Sequence, residues 1–98
     1  MNTCQYIPIH EFTCQPCDHP SLRLKYFLTC RESEEPGGIL YGICIRKYTA
    51  ENQQPEEAAT PPISYSESFV RQLLQHLIEN AVTPMCLLEV LDELLSAA

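Results

Sequence analysis

The chain has 98 residues, 45% of them apolar and 19% charged, and a formal net charge of −7. That length suits one domain able to bury a core without metal or disulfides, and that composition excludes a disordered chain. The acidic balance argues against duplex nucleic acid and anionic membrane surfaces as partners, because both demand Lys and Arg.

Residues 1–20 read as an irregular segment rich in Cys and Pro, with Tyr6-Ile7-Pro8-Ile9 as a candidate short edge strand. Pro8, Pro16 and Pro20 interrupt it and no basic start precedes an apolar run, so no signal peptide is expected. No apolar stretch approaches the length that spans a bilayer. The expectation is a cytoplasmic protein whose six cysteines are mostly reduced thiols.

Residues 21–48 predict a β-hairpin. Leu22, Leu24, Tyr26, Leu28 and Cys30 share one face of the first strand; Arg23, Lys25, Phe27, Thr29 and Arg31 share the other. A polar turn at residues 32–38 ends in Gly37-Gly38. In the second strand Ile39, Tyr41, Ile43 and Ile45 alternate with Leu40, Gly42, Cys44, Arg46 and Tyr48. Such a hairpin is marginal alone and must pack against something.

Residues 49–62 read as a mobile loop rich in Gln, Glu, Ala and Pro. Thr60 to Ser64 is a candidate short strand, confined to an edge or a strand start by Pro61 and Pro62. Ser64-Tyr65-Ser66-Glu67 has the spacing of a capping box with Ser64 as N-cap. A helix follows, with Phe69, Val70, Leu73, Leu74, Leu77 and Ile78 on an arc of about 180° and Asn80 as its stop. Thr83-Pro84 starts a second helix, Thr as N-cap and Pro at the first helical position. Its apolar residues, Cys86, Leu87, Leu88, Val90, Leu91, Leu94 and Leu95, cover about 200°, more than one flat contact needs.

The run from Leu74 to Leu95, with Tyr41-Gly42-Ile43 in the hairpin and Val82-Thr83-Pro84, Leu88, Val90 and Asp92 in the C-terminal part, resembles a family of small bacterial proteins known as a domain of unknown function. The likeness covers residues 22–48 and 63–95. It departs from the family at Cys86, where a His is usual, and in the first 20 residues, which have no counterpart. The resemblance implies an α+β fold and no assigned activity.

Three groups of residues are candidate sites. Cys14 and Cys17 have the spacing of half a zinc site, which two of His19, Cys4, His10 and Cys30 would complete; no second paired half exists. A thioredoxin-like role for that pair is disfavoured by Pro20 and the strand after it. The helix pair does not suit DNA, because residues 84–96 hold three acids and no Lys or Arg. Arg23, Lys25, Arg31 and Arg46 form a basic strand face, able to take an acidic peptide or phosphate or to pair with local glutamates. Leu87, Leu91 and Leu95 mark the surplus apolar face of the last helix.

These features predict one α+β domain over residues 1–98: a small antiparallel sheet of two to four strands with two C-terminal helices on one face. The preferred function is a non-catalytic interaction or regulatory module that uses Leu87, Leu91 and Leu95, with an unidentified protein or a second copy as partner. No enzyme activity, cofactor, nucleic acid or membrane is expected. The alternative is a zinc-stabilised domain with metal at Cys4, Cys14, Cys17 and His19.

Overall fold

The computed structural model describes residues 4–14, 21–34, 37–50 and 54–96. Four strands and two helices follow one another: β1 (Gln5–Cys14), β2 (Leu22–Glu32), β3 (Ile39–Thr49), β4 (Glu56–Ala59), α1 (Glu67–Glu79), a 3₁₀ turn (Pro84–Cys86) and α2 (Leu87–Ser96). The strands form one antiparallel meander in chain order. The fold is the expected α+β arrangement.

β2 and β3 pair along their whole lengths, from Leu22 opposite Thr49 to Glu32 opposite Ile39. This register sets Leu24, Tyr26, Leu28, Ile43 and Ile45 on one face, where they meet Val70, Leu73, Leu74 and Leu77 of α1 and Leu87 and Leu91 of α2. The alternation read from the sequence therefore identifies the core face correctly. The turn between the strands closes through the Ser33 N–H to the Gly38 carbonyl, with Gly37 at a φ of 84°.

Two strands exceed expectation. The N-terminal edge strand runs for ten residues. A register shift between Pro8 and His10 bends it there, and Pro8 leaves one backbone donor missing. The segment expected as a loop contains β4, which pairs Glu57 with Arg46 and Glu56 with Lys47. Opposite charges across the ladder hold a strand whose composition favours a loop.

The start of α1 also differs from expectation. Tyr41 donates its N–H to the Ser64 carbonyl at 2.8 Å, so Ser64 belongs to the sheet edge. Ser66 becomes the N-cap, its Oγ accepting the Phe69 N–H at 3.3 Å. Glu67 turns to Arg71 at 2.8 Å instead of closing a capping box.

α1 stops at Asn80 as expected, in a Schellman arrangement. The Val82 N–H reaches the Leu77 carbonyl at 3.0 Å and the Ala81 N–H reaches that of Ile78 at 3.1 Å. Ala81 takes the left-handed conformation with φ of 50° that this motif requires. Thr83 then caps the 3₁₀ turn through backbone alone, its carbonyl accepting the Cys86 N–H at 3.1 Å. Pro84 sits at the first position of the turn and is buried.

Tyr26 fixes this junction to the sheet. Its ring is fully buried, and its hydroxyl donates to the Val82 carbonyl at 2.9 Å. Tyr26→Phe is expected to cost about 1–2 kcal/mol, because the carbonyl stays buried without a donor. Ala81→Gly is expected to add about 0.5–1 kcal/mol by relieving the left-handed strain. Urea unfolding of the two variants measures both shifts.

Candidate functional site

The apolar surplus of α2 divides when placed on the fold. Leu87 and Leu91 retain 0% and 4% of their surface and belong to the core. Leu95 stays 43% exposed and Leu88 61% exposed. The expected stripe of Leu87, Leu91 and Leu95 is thus rotated by one position at its start. A helical wheel gives the width of an apolar arc; the sheet decides which edge of that arc it covers.

The exposed edge opens into a groove of about 350 Å³. Leu88, Leu91, Asp92 and Leu95 form one wall, at the spacing of a single helix face. Phe69, at the start of α1, and residues 60–63, between β4 and α1, form the rest. Asp92 is the one ionisable residue among the described residues lining it. The sequence placed Phe69 on an apolar helical arc. Its juxtaposition with Leu88 depends on tertiary packing, and no local pattern signals it.

The cations of the basic strand face lie on the side of the sheet opposite the helices, and three of the four meet a glutamate. Glu11 of β1 takes Arg23 at 3.1 Å and Lys25 at 4.0 Å. Arg46 meets Glu57 at 3.4 Å and lies over the rings of Phe27 and Tyr6, 4.8 and 5.2 Å from their centroids. Arg23 and Lys25 both lie over Tyr48. Of the four cations, Arg31 has no carboxylate partner among the described residues.

These contacts let the outer face cover itself. Phe27 is 7% exposed and Cys44 is fully buried there, beneath no helix. The Cys44 thiol donates to Glu57 Oε1 at 3.1 Å. Burial, then that carboxylate, pushes its pKa from 9.0 up to about 12. A thiol held neutral in this way is a poor nucleophile and a poor metal ligand.

The candidate zinc ligands are not all brought together. Cys14 ends β1 and Cys4 precedes its start, so ten residues of extended chain hold them about 30 Å apart. Cys17 and His19 lie outside the described residues. Among the described residues no group of three or more His, Cys, Asp or Glu is placed to hold a metal ion. No described helix is long and apolar enough to cross a membrane.

Cys44 carries a pH prediction. Its folded pKa is raised, so its contribution is whole below the unfolded value of 9.0 and is lost as pH rises toward about 12. Tyr26, pushed by burial from 10.0 to about 12, acts in the same direction. Urea midpoints should fall across this window, and less steeply in Cys44→Ala. Below that window a thiol reagent should modify exposed Cys4 and Cys86 readily, and Cys44 only as the chain opens.

The sequence profile of a family of unknown function (DUF6514) matches residues 7–97. No curated protein and no solved structure matches the chain. The match begins inside β1 and takes in every later strand and both helices, so it extends beyond the two segments that carried the resemblance. The chain is a member of the family of unknown function DUF6514.

Proposed function

We propose that this protein is a non-catalytic interaction module whose groove receives an amphipathic helix bearing a basic residue. The observation that carries the reading is the exposure of Phe69, Leu88 and Leu95 around one groove. Apolar side chains gathered in a concave surface mark binding sites more often than scattered ones do.

The chemistry of the walls supports this occupant. Pro61 and Pro62 offer no N–H, so that wall does not support a full ladder with an added strand. A helix needs no such ladder; it presents apolar residues at i, i+3 or i+4, and i+7 to a groove of this kind. Asp92 at the groove, with exposed Glu89 and Glu93 nearby on α2, favours a cation on the partner. The same acids work against a symmetric dimer through this face, which would set Asp92 near its own copy. The net charge of −7 and the paired basic face support a protein partner over nucleic acid.

A labelled helical peptide with three leucines on one face and a flanking lysine provides the test, against an acidic peptide with the same leucines. The basic peptide should shift the amides of Phe69, Leu88 and Leu95 in NMR spectra, and the acidic peptide should not. Leu88→Asp should weaken binding about tenfold or more and leave stability within about 0.5 kcal/mol. Leu91→Asp should unfold the domain, because that residue is core. Equal binding of both peptides, or binding untouched by Leu88→Asp, defeats the reading.

A further inference from the structure

A second concavity, of about 70 Å³, lies on the sheet face away from the helices and meets the docking groove at Thr60 and Pro62. Thr29, Arg31, Gly42 and Thr60 line it, and no Asp or Glu among the described residues does. Thr29 and Arg31 lie two apart on β2 and so share a face, and Gly42 stands opposite Thr29 on β3. A Cβ at Gly42 would fall 2.7 Å from Thr29 Oγ1 and 2.9 Å from Thr60 Oγ1. The two hydroxyls therefore flank one point above the glycine, which is open only because the residue has no side chain.

Each group here has a donor to spare. Thr60 Oγ1 already accepts the Ile43 N–H at 3.0 Å, which leaves its proton to point elsewhere. Thr29 is 8% exposed, and its hydroxyl has no hydrogen-bond partner among the described residues. The guanidinium of Arg31 donates only. Arg23, Lys25, Arg46, Lys47 and Arg71 each meet a glutamate, and Arg31 alone of the described cations does not. A chain this acidic has carboxylates in excess, so an arginine without a carboxylate among the described residues, beside two hydroxyls with protons to donate, is a local exception.

We infer that this pocket binds a small tetrahedral oxyanion of the phosphate class. Arg31 supplies a charge-assisted pair of N–H bonds, and the hydroxyls of Thr29 and Thr60 donate from across Gly42. The volume admits a phosphate group and excludes a whole nucleotide. The role also accounts for Gly42, the centre of the Tyr41-Gly42-Ile43 motif: a methyl group there fills the floor of the site.

Titration of the full chain with inorganic phosphate at constant ionic strength, followed by amide NMR shifts, tests this site. O-phosphoserine in a second arm tells a free ion from a phosphate group on a larger molecule. Phosphate should shift Thr29, Arg31, Gly42 and Thr60 and raise the melting temperature. Arg31→Gln and the isosteric Thr29→Val should each weaken binding about tenfold or more, with unchanged urea midpoints in the absence of phosphate. Gly42→Ala should abolish binding; Arg31→Gln, on an exposed side chain, keeps the test valid if that variant folds poorly. Shifts no larger than those with chloride, or Arg31→Gln binding as the native chain does, overturn the inference.

Discussion

Tyr26 stands at the centre of β2 with no exposed surface and gives its one polar hydrogen to the carbonyl of Val82. A phenol buried without a partner would destabilise this domain; partnered, it ties the middle of the sheet to the link between the helices. That link is otherwise a chain reversal with a strained alanine and a proline. Once it is pinned, α1 and α2 have one way to lie on the sheet. Leu87 and Leu91 enter the core, and Leu88 and Leu95 are left at the edge that becomes the groove wall.

The two faces of the sheet solve burial differently. Helices cover the inner face in the usual way. Among the described residues no second layer covers the outer face, and its residues shield one another: the guanidinium of Arg46 spreads over Phe27 and Tyr6, and Glu57 takes both Arg46 and the thiol of Cys44. Long cationic side chains here act as apolar cover as much as charge. Two glutamates thus answer three of the four cations, which reduces the positive charge of the face without cancelling it, and Arg31, unpaired among the described residues, stands out.

Much of the fold was legible in the sequence. Period-two alternation fixed the core faces of β2 and β3, and period-3.6 arcs fixed both helices, because each pattern reports burial on one side of a regular element. Ser64 misled because its role depends on a hydrogen bond from Tyr41, twenty-three residues earlier. β4 was hidden because its glutamates suit a strand only opposite Arg46 and Lys47. The groove and the oxyanion pocket were equally invisible: each is built from segments far apart in the chain, and no window of sequence contains Phe69 with Leu88 and Leu95, or Thr29 with Thr60. The cysteine spacing pointed toward metal, and the extended course of β1 takes Cys4 away from Cys14.

Among the described residues the meander leaves the outer edges of β1 and β4 unpaired, and an open sheet with unpaired edges is a template for the addition of further chains. This chain blunts both. On one side the bend at Ile9 and the missing donor of Pro8 interrupt the straight row of amides. On the other, β4 is four residues long, carries two glutamates and runs into Pro61-Pro62. Each device spoils the register that a fibril needs to repeat. An apolar-rich domain thus keeps a bare sheet face and a sticky groove without offering the backbone geometry on which amyloid grows.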